Sequence, residues 1–309
     1  IHNPGWGINA VESADIKGNS IPEIVFGAAQ PSFNAIAMEA VNNRSGLVDW
    51  SFAPLQGVFS PVALGDVDGD GHDEFVVAGN NYNGYGAVDI YDADTGVLKW
   101  TSPNVGGNGN DPFAISTSRI LLLPHAADAA MDIVLAGSSG YDGRIDVLDG
   151  ATKTVKLQIG SYASGPLGSR YLMDAAAVDF DNDGVMDFVA ATEPSSTGSS
   201  GAELQVFSGV DGHPLWTSVQ MGSGFSNILG VLVTGPASSP SSEMIAVLPG
   251  SLRAYNIQTH LLDWTLVATA DGATYVPHGV NGAEIAVFQH NGAVAFYDAA
   301  TQAYLRGFS

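Results

Sequence analysis

The stretch GDVDGDGHDEFVVAG, residues 65–79, joins a turn rich in aspartate to an acidic residue that is followed by a short apolar run. An acidic residue before such a run recurs six times along the chain, at spacings of 51, 58, 55, 56 and 41 residues. We call these six residues the anchor acids: Glu23, Glu74, Asp132, Asp187, Glu243 and Glu284. Self-similarity at such spacings indicates a repeat architecture. The strand pattern within one repeat therefore predicts the fold of the whole chain.

Each anchor acid starts the second of four strand-like segments. An apolar segment precedes it, such as SPVALGD before Glu74, and an alternating segment follows it, such as GAVDIYD at residues 86–92. In GAVDIYD the period of two places Val88 and Ile90 on one face and Asp89 on the other. The fourth segment is centred on a bulky residue, which is Trp50, Trp100, Leu157, Trp216, Trp264 or Leu305.

Four short strands in each of six repeats, with glycine-rich turns between them, predict an all-β fold, a β-propeller with six four-stranded blades. One blade cannot bury both of its apolar faces alone, so the bulky residues are expected to pack between neighbouring blades. We expect a single propeller domain over residues 1–309, and seven blades if the chain is a fragment that lacks one. The expected repeats span residues 4–56, 57–113, 114–167, 168–224, 225–271 and 272–309.

The composition excludes several classes of protein. With 45% hydrophobic residues among 309, the chain has enough apolar material to bury a core, which excludes a disordered acidic tail. The net charge is −22, with 10 basic residues against 32 acidic ones. No nucleic-acid partner is expected, because phosphate contacts need clustered lysine and arginine. No run of 18 apolar residues occurs, so no membrane insertion is expected either.

Two repeats carry a ladder of carboxylates between their first and second strands, in loops that start at Asp66 and Asp179. Carboxylates at positions 1, 3, 5 and 9 of such a loop can converge, while glycine at position 6 allows a sharp turn and position 7 offers its carbonyl. This number of oxygen ligands suits a hard cation and favours calcium over magnesium. Neither loop is an EF-hand, because position 12 is Val77 or Ala190 rather than glutamate.

The segments GDVDGDGHDEFVVAG and VDFDNDGVMDFVAAT resemble the FG-GAP and VCBS repeats of integrin α-subunit propellers and of bacterial secreted and surface proteins. The likeness is strong in the second and fourth repeats, recognisable in the first and third, and faint in the last two. It implies two calcium ions, each held between the first two strands of a blade. The implied ligands are the side chains of Asp66, Asp68, Asp70 and Glu74 with the carbonyl of His72, and the side chains of Asp179, Asp181, Asp183 and Asp187 with the carbonyl of Val185.

The first repeat departs from this pattern because its loop has Lys17 at position 3. We hypothesise that the ammonium group of Lys17 replaces the metal there and pairs with Asp15 and Glu23. The third repeat keeps only Asp128 and Asp132, and the last two repeats have no carboxylate ladder. Two calcium ions with a structural role are therefore expected, and not six.

No sequence motif identifies an enzyme. The patterns HExxH, GxSxG and GxGxxG and the P-loop are missing from the sequence, and its seven histidines are scattered, with His125 and His278 near expected face loops. The interpretation is an extracellular, cell-surface or periplasmic module that binds a protein or glycan on a propeller face, since such loops fill at extracellular calcium concentrations. The alternatives are a polysaccharide lyase or hydrolase on a propeller scaffold, and an architectural spacer of a larger surface protein.

Overall fold

A computed structural model describes residues 7–14, 23–29, 36–42, 44–52, 58–80, 86–103, 113, 115–124, 129–160, 165–195, 201–222, 228–280 and 282–308. These residues contain strands and turns but no helix. The strands form six four-stranded antiparallel sheets, so the fold is a β-propeller with six blades, as the repeats predict. Each blade is built from four strands that are consecutive in the sequence.

The strands of blades 1 to 3 are β1 (Gly7–Ala14), β2 (Glu23–Ala29), β3 (Ile36–Asn42), β4 (Val48–Phe52), β5 (Val58–Gly65), β6 (Glu74–Asn80), β7 (Gly86–Asp92), β8 (Leu98–Thr101), β9 (Ser116–Pro124), β10 (Met131–Ser139), β11 (Asp142–Leu148) and β12 (Val155–Ile159). The strands of blades 4 to 6 are β13 (Arg170–Val178), β14 (Asp187–Pro194), β15 (Glu203–Phe207), β16 (Pro214–Thr217), β17 (Gly230–Val233), β18 (Glu243–Leu248), β19 (Ser251–Asn256), β20 (Leu262–Val267), β21 (Gly272–Gly279), β22 (Gly282–Phe288), β23 (Val294–Asp298) and β24 (Tyr304–Phe308). The anchor acids lie at or near the start of each second strand.

The chain divides into two compact units. Unit 1 comprises Ile1–Gly140 and Arg144–Gly165 and holds blades 1 to 3 apart from the start of β11. Unit 2 comprises Tyr141–Gly143 and Pro166–Ser309 and holds blades 4 to 6. Within unit 1 the first strand of blade 2, β5, contacts both β1 and β9, and within unit 2 β17 contacts both β13 and β21. The first strands of neighbouring blades therefore lie side by side in each unit.

The second strand of a blade is apolar on both faces because both faces are covered. In β18, Met244 and Ala246 belong to a buried cluster shared with blade 4, whereas Ile245 and Val247 belong to one shared with blade 6. Burial of a side chain of the size of valine or isoleucine contributes about 1.5–3 kcal/mol to folding. Coverage on both sides explains why the run after Glu243 is continuous rather than alternating.

Three of the bulky residues predicted for the fourth strands pack between blades, as expected. The prediction of Leu305 for blade 6 was wrong, because the strand register places Arg306 at the position that Trp264 has in blade 5. Trp100 packs against the cluster shared by blades 2 and 3, to which Val88 and Ile90 also belong. Trp216 packs against the cluster of blades 4 and 5, and Trp264 against that of blades 5 and 6. The side chain of Trp50 lies outside the described residues.

Each blade has a one-residue bulge where its third strand pairs with its fourth. In blade 2, Tyr91 pairs with Leu98 and Ile90 pairs with Trp100, which leaves Lys99 as the extra residue. A bulge of this kind bends the strand locally and redirects the side chain of the extra residue. We call the extra residues of the six blades the bulge residues: Asp49, Lys99, Lys156, Leu215, Asp263 and Leu305.

Candidate metal centre

The loop between β13 and β14, residues 179–186, gathers carboxylate oxygens in blade 4. One oxygen from each of Asp179, Asp181 and Asp187 lies within 4.8 Å of the others. Asn182 and Gly184 adopt left-handed φ angles of 61° and 90°, which curl the loop around this point. Three carboxylates this close repel one another unless a cation lies among them.

Asp187 holds the base of this loop to the blade. Asp187 is fully buried. Its Oδ2 accepts a hydrogen bond from the Phe180 N–H at 2.8 Å, and its Oδ1 accepts one from the Gly209 N–H at 2.9 Å. Burial raises the pKa of the Asp187 carboxyl above its ordinary value, and the two N–H groups oppose that rise. The anchor acid of blade 4 is thus fixed by the backbone.

The two carboxylate oxygens of Asp179 differ in their hydrogen bonding. Its Oδ2 accepts a hydrogen bond from the Gly184 N–H at 3.1 Å. Its Oδ1 is buried and accepts none from any described residue. A buried oxygen without a donor costs about 1–3 kcal/mol, and a cation held by the same group of carboxylates would remove that cost. The side chains present in this loop therefore fit a hard cation.

The corresponding loop of blade 2, residues 66–73 between β5 and β6, has the same turns but more donors. One oxygen from each of Asp66, Asp68 and Asp70 lies within 4.8 Å of the others. Asp66 Oδ1 accepts hydrogen bonds from the Gly69 and Asp70 N–H groups at 2.7 and 3.1 Å, and its Oδ2 accepts one from the Gly71 N–H at 2.9 Å. The first carboxylate of this loop is thus satisfied by the backbone.

Lys99 brings a positive charge into the blade 2 loop from β8. Its Nζ lies 2.7 Å from Asp68 Oδ2, 2.9 Å from Asp70 Oδ2 and 2.9 Å from Oε1 of the fully buried Glu74. Burial lowers the pKa of the Lys99 ammonium, but hydrogen bonds to the three carboxylates outweigh that effect and raise the pKa above its ordinary value. Lys99 therefore stays charged and neutralises part of the ladder.

Sequence reasoning did not find Lys99, although it anticipated the same device in blade 1. The available signal is a basic residue just before the bulky residue of the fourth segment, in VLKW and VKLQ. Lys156 follows this pattern in blade 3, where its Nζ lies 2.6 Å from Asp132 Oδ2. The hypothesised pairing of Lys17 with Asp15 and Glu23 stays a prediction, because Asp15 and Lys17 lie outside the described part of the chain, whereas Glu23 is described and buried.

The remaining residues singled out from the sequence take ordinary positions. The His72 ring hydrogen-bonds Asp94 at 3.3 Å, and the side chain of Val185 is exposed. His278 is exposed on β21. His125 lies outside the described residues.

Comparison with known proteins supports the fold. No protein-family profile matches the chain, and no curated protein matches it. Among solved structures, BamB from Moraxella catarrhalis is similar with a TM-score of 0.56 and 19% identity, over 100% of this chain and 78% of that one. The Dos1 propeller is similar with a TM-score of 0.62 and 14% identity, over 98% of this chain and 70% of that one. At these identities the likeness concerns the propeller fold.

A search of the described residues finds no helix with the length and apolar character needed to cross a membrane.

Proposed function

We propose that this chain is a binding module that recognises a protein or glycan ligand and whose two carboxylate loops take calcium. The calcium proposal depends on one observation at Asp179. Its buried Oδ1 lacks a donor among the described residues, and the Asp179 carboxylate lies close to those of Asp181 and Asp187. Calcium is favoured over magnesium because it accepts several protein oxygens in flexible geometry. The role of the ion is structural, since it would hold together a loop whose charges repel.

The proposed ligands are the side chains of loop positions 1, 3, 5 and 9 and the carbonyl of position 7. In blade 4 these are Asp179, Asp181, Asp183, Asp187 and Val185, and in blade 2 they are Asp66, Asp68, Asp70, Glu74 and His72. When bound, calcium would balance the charges of the blade 4 carboxylates, with which no described lysine or arginine pairs.

The two sites are expected to differ in affinity. In blade 2 an incoming ion has to displace Lys99 from three carboxylates, and Lys153 interacts electrostatically with Asp68 and Glu74 as well. In blade 4 the bulge residue is the uncharged Leu215, and the exposed His213 acts on Asp181 and Asp187 only through its more distant charge. The blade 4 loop therefore fills first as calcium is added.

Thermal unfolding with calcium or a chelator tests the calcium proposal. Calcium at 100 times its dissociation constant stabilises a folded site by about 2.7 kcal/mol, so the melting temperature should rise and fall again with excess chelator. Asp181→Asn should remove most of the rise, whereas Asp68→Asn, at the same position of the blade 2 loop, should remove a smaller part. Lys99→Met should enlarge the calcium response by freeing the blade 2 carboxylates.

Magnesium at the same concentration serves as the control for general screening of charge. A melting temperature that calcium leaves unchanged, or that magnesium raises equally, would contradict the proposal.

An extracellular, cell-surface or periplasmic location is part of the same proposal, since loops of this type are filled at extracellular calcium concentrations and largely empty at cytosolic ones. Recognition itself is tested by a glycan array and a panel of surface proteins, each probed with calcium and with chelator. Loss of all binding in chelator supports a calcium-stabilised binding face, whereas the absence of any ligand in both panels would contradict a recognition role.

A further inference from the structure

A polar groove of about 570 Å³ lies between blades 5 and 6 of unit 2, beside the loop that joins β17 to β18. Its lining includes Glu243, Asp263 and the aromatic side chains of Trp264 and Tyr275. No lysine, arginine or histidine is found among its described lining residues. The described lining of the groove is therefore acidic and partly aromatic. Its volume suits a small chemical group of a ligand.

In four other blades the anchor acid has a basic partner or two backbone donors. In blades 2, 3 and 6 a basic side chain of the last strand pairs with it, at 2.9 Å for Lys99 and Glu74, 2.6 Å for Lys156 and Asp132, and 2.6 Å for Arg306 and Glu284. In blade 4 the anchor acid receives two backbone N–H groups instead. A charged partner or a pair of donors therefore accompanies each of these four anchor acids.

Blade 5 is built differently. Glu243 is only 7% exposed, and its Oε1 accepts a hydrogen bond from the Trp264 indole N–H at 2.6 Å. The bulge residue, which is lysine in blades 2 and 3, is the exposed Asp263, and its carboxyl interacts with that of Glu243. Blade 5 therefore has two acidic residues at the positions where blades 2 and 3 have an acidic residue and a lysine.

The electrostatic consequence is visible at Glu243. The pKa of Glu243 is raised to about 7: burial is the largest cause, the Trp264 N–H opposes the rise, and the charge of Asp263 and a hydrogen bond between the two carboxyl groups add to it. A cation placed between the two carboxyl groups would oppose this rise, as the Lys99 ammonium does for Glu74 in blade 2. Two carboxyl groups are fewer ligands than a calcium site requires, which favours an organic cation.

We propose that the groove between blades 5 and 6 binds the ammonium group of a lysine side chain from a partner protein, in the place that Lys99 takes in blade 2. Asp263 and Glu243 receive the ammonium group. Trp264 and Tyr275 pack against the methylene chain and add cation–π attraction. The net charge of −22 draws basic partners toward the molecule. This inference deepens the proposed binding function and does not depend on calcium.

Titration of the protein with a blocked Gly-Lys-Gly peptide tests the proposal, with the NMR signal of the Trp264 indole N–H as the readout. The peptide should shift this signal saturably, and the same peptide acetylated at the lysine Nζ should not. Asp263→Asn should weaken binding about tenfold, because it removes the charge of one of the two carboxyl groups that receive the ammonium group. Asp49→Asn, at the bulge position of blade 1, is the matched control and should leave the affinity unchanged.

Asp263→Lys provides the decisive variant, since it recreates the lysine of blade 2 and should fill the groove from within. Folding of this variant is checked by its melting temperature, and its binding of the peptide should be lost. Binding of the acetylated peptide with equal affinity, or undiminished binding by Asp263→Lys, would overturn the proposal. A free diamine that binds more tightly than the peptide would overturn the assignment to a protein lysine.

The calcium response of the same variants separates this inference from the proposal above. Asp263→Lys should keep the calcium-dependent rise in melting temperature while losing the peptide. Peptide binding without any calcium response would contradict the calcium proposal alone, and a calcium response without peptide binding would contradict this inference alone.

Discussion

At the scale of single residues, the carboxyl groups of this protein differ through their partners rather than through their burial alone. Glu74 and Glu243 occupy the same place in their repeats, and both are buried. Burial raises the pKa of the Glu74 carboxyl, but Lys99 and the Val67 N–H lower it. Glu243 has the Trp264 N–H as its opposing donor and Asp263 as a second acid. Both pKa values stay above the ordinary one, and that of Glu243 is raised as far as about 7.

Glu243→Gln is expected to stabilise the protein above neutral pH. The folded-state pKa of about 7 lies above the ordinary value of 4.5, so the folded protein holds a proton that the unfolded chain has lost between these pH values. The free energy of unfolding should accordingly fall as pH rises from about 4.5 to 7 and stay level above that range. At pH 8 the variant should exceed the wild type by about 1–3 kcal/mol, and near pH 4.5 the two should agree.

Denaturant unfolding at a series of pH values measures this difference. Asp298→Asn is a control of opposite sign, because hydrogen bonds from Thr301 hold the pKa of Asp298 below its ordinary value. Asp298→Asn should lower the free energy of unfolding at neutral pH, and it should lower it less in acid. A difference between Glu243→Gln and the wild type that is independent of pH would contradict the account given for the groove.

At the scale of elements, the turn after the third strand of blade 4 is built around a close approach of two backbones. A Cβ atom at Gly209 would lie 2.0 Å from the Met186 carbonyl oxygen, and the Gly209 N–H donates to Asp187. The turn and the carboxylate loop therefore depend on the same glycine. In the turn between β18 and β19, by contrast, a Cβ atom at Gly250 would meet nothing within 4 Å.

Gly209→Ala should lower the free energy of unfolding by about 2 kcal/mol or more, because one of the two backbones has to move. It should also weaken the calcium response of the blade 4 loop, since Asp187 would lose its donor. Gly250→Ala should change stability by less than about 0.5 kcal/mol. Chemical unfolding of the two variants in chelator and in calcium measures both effects, and equal losses in the two variants would contradict this reading of the turn.

The elements were largely predictable from the sequence, whereas the contacts between them were not. The alternation in GAVDIYD and the continuous run in EMIAVL predicted strands, and the ladders starting at Asp66 and Asp179 predicted the loops between first and second strands. Lys99 escaped prediction because it is 25 positions from Glu74 and reaches it only through a bulge. The calcium ligands themselves stay a prediction.

At the scale of the whole molecule, the main feature is the excess of acidic over basic residues. Of only 10 basic residues, Lys99, Lys156 and Arg306 are paired with anchor acids, which leaves a large excess of acidic side chains at the surface. Their mutual repulsion opposes the compact state. Dissolved salt screens this repulsion within about 10 Å at 0.1 M, and it weakens the few favourable pairs as well.

Because repulsive pairs outnumber attractive ones, the melting temperature in chelator should rise by several degrees between low salt and about 0.3 M sodium chloride. Potassium chloride should act equally, since the effect depends on ionic strength. Calorimetric scans at constant pH measure the trend, and a melting temperature that falls with salt would show that ion pairs such as those of Lys99 outweigh the repulsion.

The bulge shared by all six blades has a consequence for how such a protein can diversify. In blades 2, 3 and 5 it brings one side chain, Lys99, Lys156 or Asp263, to the anchor acid, while the strands on either side of the bulge stay paired. One codon can thus exchange an internal counter-ion for an acidic or uncharged side chain beside the anchor acid. Blades can therefore diverge in charge one at a time in a gene of this kind, while the strand pairing stays the same.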